Sequence, residues 1–130
     1  GMKNTKAKKS KEPHVIVWGT GKPVREWLHV DDGAEAMIRA IDLPPHEDII
    51  NIGTASGISI KELAEMIRKE VGYEGELLFD TTKPDGAPYK TVDGTKGGKL
   101  MGWAPRTDLR DGVRETVQWY MKHKVNSCMK

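Results

Sequence analysis

The chain contains one cysteine, Cys128, so no disulfide can form within it, and its 130 residues depend on packing alone. Nor do its apolar residues run together over the roughly 18 positions that a membrane-spanning helix needs, and nothing reads as a secretory h-region. The expectation is a soluble, cytoplasmic protein with no membrane partner. His14, His29, His46 and His123 are scattered, none at H-x-x-x-H spacing or beside a cysteine, so no metal site is expected. G-x-S-x-G and Walker-type motifs are missing as well, as are internal repeats.

The balance of charge is slight, a formal +2 with a pI near 8.6. Five lysines (Lys3, Lys6, Lys8, Lys9 and Lys11) against Glu12 leave residues 13–130 at −2. The basicity belongs to a short tail, read as a solvated, disordered terminus over 1–12 and not as a nucleic-acid arm. No nucleic-acid partner is expected.

What is present suffices for one core: 37% apolar residues and four tryptophans. "HVIVW" reads as a strand, "GTGKP" as a turn, and "REWLHV" as a second extended segment, with a hairpin-like return between them. Asp32 and Glu35 have capping-box spacing ahead of a helix over about 33–43, stopped by Pro44-Pro45. "DIINIG" is expected as a buried strand. Ser59 and Glu62 open the clearest helix, ended by Gly72, and "ELLFD" reads as a strand. "TTKPDGAPYK" is expected as a loop and "TKGGKLMGW" as one short helical turn, while Thr107 or Asp108 caps a last helix. Three or four short strands with three or four helices make an α/β (α+β) domain over 13–125, followed by a short tail at 126–130.

Chemistry concentrates in two loops. In "WGTGKPVRE", Gly19 and Gly21 let backbone amides approach an anion, Lys22 adds charge, and Arg25 can grip a phosphate bidentately. Trp18 stands at the entrance, able to pack on a sugar or base. The competing reading is a tight turn with Arg25 paired to Glu26 or Asp31. In "KPDGAPYK", Lys83 and Lys90 flank another glycine turn, so two cationic loops could close on one diphosphate; a solvated loop is the alternative. Asp31-Asp32 reads as a helix cap with a loop contact.

Taken in order, "VWGTGKPVREWLHVDD", "INIGT", "SIKELAEMI", "VGYEGELLFDTTKPDGAPYK" and "MGW" resemble the C-terminal, substrate-binding part of the GDP-L-fucose synthases, extended short-chain dehydrogenases/reductases of the NAD-dependent epimerase/dehydratase group. The resemblance implies a nucleotide-sugar site for a GDP-sugar or related ligand. Arg25 and Lys90 would hold the diphosphate, Trp18 would lie beside the sugar, and Asp85 would belong to the nucleotide-binding loop. Two departures stand out: Tyr89 replaces the usual arginine, and Gly97-Gly98 interrupt a segment that is normally a regular turn, which suggests mobility there. The group's NADP-binding loop and its catalytic serine, tyrosine–lysine pair, cysteine and histidine have no counterparts here. His29 and Cys128 do not replace them. The resemblance therefore implies a substrate-domain fragment with no catalytic residues and no cofactor bound by this chain alone. A stand-alone nucleotide-sugar-binding module and a structural interaction domain remain the alternatives. Homo-oligomers are expected through Val15, Val17, Trp18, Val24 and Trp27.

Overall fold

A computed structural model describes residues 14–45 and 49–124. The basic segment 1–12, His46, Cys128 and the tail at 126–130 lie outside the described residues.

β-Branched Val15, Ile16 and Val17 favour extended backbone, and β1 runs His14–Trp18. Its partner is distant in sequence. β4, Glu76–Asp80, lies parallel to it, with His14 opposite Glu76 and Trp18 opposite Asp80. A second sheet is built around β2 (Val24–Glu26). On one side β2 pairs antiparallel with β3 (Gly57–Ser59), and on the other parallel with β5 (Tyr89–Lys90).

The expected hairpin between the first two extended segments is not formed. Gly19 and Gly21 do take positive φ, +82° and +74°. β1 instead takes β4 as its partner, and β2 takes β3 and β5. The chain thus leaves the first sheet and enters the second.

Helix α1 spans Val30–Ile41, starting before the expected 33 and ending ahead of Pro44-Pro45. His29, and not Asp32, is its N-cap, and His29 makes no side-chain cap bond. Asp32 lies within the first turn and accepts the Thr107 backbone N–H at 2.9 Å. Glu35 pairs with Arg39 at 2.8 Å. Both residues of the expected capping box are thereby drawn to other partners. α2, Ile60–Glu70, has the full box: the Ser59 side chain accepts the Glu62 N–H, and the Glu62 carboxylate accepts the Ser59 N–H. Gly72, at φ +67°, follows its cap residue Val71.

The described part of "DIINIG" is not a strand. Residues 49–53 form an irregular connection against α3 (Thr95–Met101). Gly97 explains the fit, since a Cβ there would stand 2.6 Å from the Asn51 carbonyl oxygen. The Gly97-Gly98 pair therefore permits close packing within a regular two-turn helix, where one short and mobile turn was expected. α4, Leu109–Lys124, begins after Asp108, whose carboxylate accepts the Arg110 N–H at 2.9 Å.

The described residues thus form a mixed α/β structure of four helices and five strands, against the three or four strands expected. β3 and β5, three and two residues long, are too short to leave a periodic signal. The core lies between α1 and α3. Ala36, Met101 and Trp103 are buried there, with Leu28, Leu43 and Ile52 packed around them. Val30, Met37, Ile38 and Ile41 form the outer, exposed stripe of α1. Among the described residues, no helix is long and apolar enough to cross a membrane.

Candidate functional site

The two loops singled out from sequence meet where both sheets end. The Gly19 N–H donates to the Asp80 carbonyl at 2.9 Å, which carries the β1–β4 ladder one step further. The far side of the turn is fixed to α2: Gly21 O accepts the Lys61 N–H at 2.9 Å, and Pro23 O accepts the Ile60 N–H at 3.0 Å. A Cβ on Gly21 would run into the Phe79 ring, so this position needs glycine for both angle and space.

Asp85 closes the arrangement. Its Oδ1 accepts the Thr20 backbone N–H at 2.6 Å and its Oδ2 accepts the Thr20 hydroxyl at 2.6 Å. These hydrogen bonds, with Lys22 nearby, hold the Asp85 carboxyl below the usual carboxylate range. Gly19 serves this contact directly, because a Cβ there would collide with the Asp85 carboxylate. The anion received by the glycine turn is thus the chain's own carboxylate. Thr20 was not singled out from sequence. A threonine between two glycines, facing a D-G turn, is a weak signal that only the fold makes readable.

Arg25 lies on the central strand β2, with Lys90 of β5 as its register partner. Register partners on neighbouring strands project to the same face, so both cationic side chains leave the sheet on one side. The Arg25 Nη1 donates to the Val24 carbonyl at 2.7 Å. Its Nη2 lies beside the second loop, 3.6 Å from where a Cβ of Gly86 would be. No ion pair joins Arg25 to Glu26 or Asp31 among the described residues, so the salt-bridged alternative is not what the structure shows. Glu26 serves the opposite face. Its carboxylate accepts the Thr54 N–H, the Ala55 N–H at 3.3 Å and the Val92 N–H at 2.8 Å, fixing the exit of β5 to the 53–55 turn.

Trp18 is 71% exposed at the end of β1, with the Lys83 ammonium 5.6 Å from its ring centroid. Lys22 and Lys90 are exposed. The structure therefore gathers Trp18, Gly19, Gly21, Lys22, Lys83 and Asp85 at one loop junction, with Arg25 and Lys90 on the adjoining strand pair. None of these residues lines a cavity of about 320 Å³ bordered by Trp27, Thr54, Ile58, Pro105, Arg106 and Leu109 among others. No cluster of three or more His, Cys, Asp or Glu that could hold a metal ion occurs among the described residues.

Comparison with known proteins places this geometry. A family model described as "NAD dependent epimerase/dehydratase family" matches residues 2–53. GDP-L-fucose synthase 1 of Arabidopsis thaliana is 46% identical over 120 residues, which is 92% of this chain and 37% of that protein. A GDP-L-fucose synthetase of Naegleria fowleri, solved bound to NADP, superposes with a TM-score of 0.80 at 28% identity, covering 86% of this chain and 36% of that one. UDP-glucose 4-epimerase of Thermotoga maritima, solved with UDP-glucose, gives a TM-score of 0.77 at 28% identity, over 84% of this chain and 35% of that one. The chain spans about 37% of the length of the curated relative.

The NADP of the Naegleria protein raises the question of whether residues here fit a dinucleotide. Such a loop needs glycines that open directly into a helix, whose N-terminus receives the pyrophosphate. The Gly19–Gly21 turn leads into β2 instead, and its Thr20 amide is already taken by Asp85. These residues do not fit that group. Across most of its length, then, the chain is similar to one part of GDP-L-fucose synthases, and its residues 2–53 match the NAD dependent epimerase/dehydratase family.

Proposed function

We propose that the chain is a nucleotide-sugar-binding, substrate-side domain, and that Arg25 and Lys90 hold the diphosphate of a GDP-sugar. The observation that carries this reading is the parallel β2–β5 register, which puts the Arg25 and Lys90 side chains on one face of the sheet. Paired cations of this kind match two linked phosphates, and the planar guanidinium adds bidentate geometry. Trp18, exposed beside Lys83, offers a flat apolar surface for a sugar ring. Lys22 extends the positive rim. The names of the Arabidopsis and Thermotoga relatives support a nucleotide sugar as ligand class, and the higher identity to the former favours guanosine over uridine.

In this reading the chain supplies binding and orientation. Hydride transfer and proton shuttling fall to residues that have no counterpart in these 130, so the chain alone is not expected to turn over GDP-4-keto-6-deoxymannose with NADPH. Self-association through exposed apolar surface belongs to the same proposal.

Titration calorimetry with GDP tests it. Wild type is expected to bind, and Arg25→Ala to bind at least tenfold more weakly, since a charge-assisted contact is worth about 1.5–3 kcal/mol. Equal affinities would remove Arg25 from the site. UDP in parallel tests the base.

A further inference from the structure

We infer that Thr20 is a positioning residue for Arg25, acting through Asp85 and the turn that follows it. The inference rests on the nucleotide-sugar reading above.

The chain of contacts is continuous. One residue, Thr20, supplies both donors to the Asp85 carboxylate, its backbone N–H to Oδ1 and its hydroxyl to Oδ2, each at 2.6 Å. Two donors on one residue fix the carboxylate's plane as well as its distance. The Thr20 Oγ1 also accepts the Lys22 N–H at 3.2 Å, so its own rotamer is held. Gly19 is shaped around the carboxylate, as any Cβ would strike it. The next residue, Gly86, turns the chain at φ +74°, and the Arg25 Nη2 is 3.6 Å from where a Cβ on it would stand. The guanidinium thus donates to the Val24 carbonyl at 2.7 Å on one side and faces the 85–86 turn on the other.

Among the described residues, the loop's backbone–backbone ties are at its two ends: Lys83 N–H to Asp80 O at 3.2 Å, and Val24 N–H to Pro88 O at 2.9 Å. Freed from Thr20, the exposed turn could move and the guanidinium could swing with it. A point charge would tolerate that motion. Bidentate contact to a phosphate does not, because it requires the fork to be oriented before the ligand arrives.

The test is a double-mutant cycle on the 130-residue chain, with GDP as the probe and ¹⁵N chemical-shift titration as the readout. Thr20→Val keeps shape and backbone N–H and removes the hydroxyl donor. It is expected to raise the Kd for GDP about tenfold, while Thr20→Ser stays within about twofold of wild type. In an Arg25→Ala background, Thr20→Val is expected to change the Kd less than about twofold, because the group it positions is gone. Wild-type affinity in Thr20→Val overturns the inference. So does an equal loss in both backgrounds, which would place Thr20's effect on the fold and not on Arg25. Should Thr20→Val lose its dispersed spectrum, Thr20→Ala carries the same two readings. Failure of wild type to bind GDP overturns the functional reading and this inference together, a result distinct from binding that ignores Thr20.

Discussion

The Asp32 carboxylate accepts the Thr107 backbone N–H at 2.9 Å, 75 positions along the chain, and so ties the first turn of α1 to the approach of α4. Burial by itself would raise this carboxyl's pKa. Hydrogen bonds from the Thr107 and Arg106 backbone and the Thr107 hydroxyl, with the His29 ring nearby, outweigh that and hold it below the ordinary value. A carboxyl lowered in the folded state stabilises fully above its unfolded value of about 3.9, and the contribution is lost as pH falls through the lower folded value. Asp32→Ala is expected to cost about 1–3 kcal/mol in urea denaturation at pH 7, because the Thr107 donor is left without its acceptor. Asp32→Asn is expected to remove part of the acid-side decline in stability. A decline identical to wild type would assign the acid sensitivity elsewhere.

Gly21 and Gly72 share nearly the same backbone angle, φ +74° and +67°, but not the same surroundings. A Cβ at Gly21 meets the Phe79 ring, whereas at Gly72 nothing lies within 4 Å. Gly72→Ala is expected to cost about 1–2 kcal/mol, the backbone strain alone. Gly21→Ala adds a steric clash against β4 and is expected to cost at least about 1 kcal/mol more. Paired denaturation curves of the two variants give the difference directly, and equal costs would show that Phe79 moves aside freely.

Arg25→Lys separates charge from shape. The lysine keeps the positive charge on β2 but cannot bond Val24 O and a phosphate with one planar fork. GDP affinity is expected to fall between those of wild type and Arg25→Ala in calorimetry. Affinity equal to wild type would mean that the site reads charge alone.

The outer stripe of α1 exposes Val30, Met37, Ile38 and Ile41 without a charge among them. Surfaces of this kind draw partners, so the chain is expected to self-associate across a hundred-fold concentration range in light scattering. Ile41→Glu is expected to keep it monomeric. A wild type monomeric throughout that range would refute the expectation.

Sequence made local features readable and left long-range ones hidden. The Ser59–Glu62 box announced α2 because both partners lie within one turn. Asp32 and Glu35 have the same spacing, yet Thr107 and Arg39 claim them, and a competitor 75 positions away leaves no trace in local pattern. "DIINIG" has strand composition, but the close approach of Gly97 to Asn51 makes it a packing surface for α3. At the candidate site, Arg25 and Lys90 were visible as cations near glycines, and their register was not. The carboxylate that fills the glycine turn escaped notice because residue types alone do not reveal which anion an amide meets.

The β1–β4 pairing has a consequence for how the molecule assembles. His14 meets Glu76, Thr20 meets Asp85, Arg25 meets Lys90 and Glu26 meets Val92, with separations running only from 62 to 66 residues. Closing one such loop costs chain entropy that grows with the logarithm of its length. Once the first of these pairs has formed, the others are already near one another and add almost nothing to that cost. α2 can form early from local contacts, whereas the β1–β4 and β2–β5 pairings and the loop junction arrive in one slow, long-range step. The backbone amides of Thr20, Val24 and Val92 should therefore exchange with solvent as one cooperative unit, all opening at the same free energy.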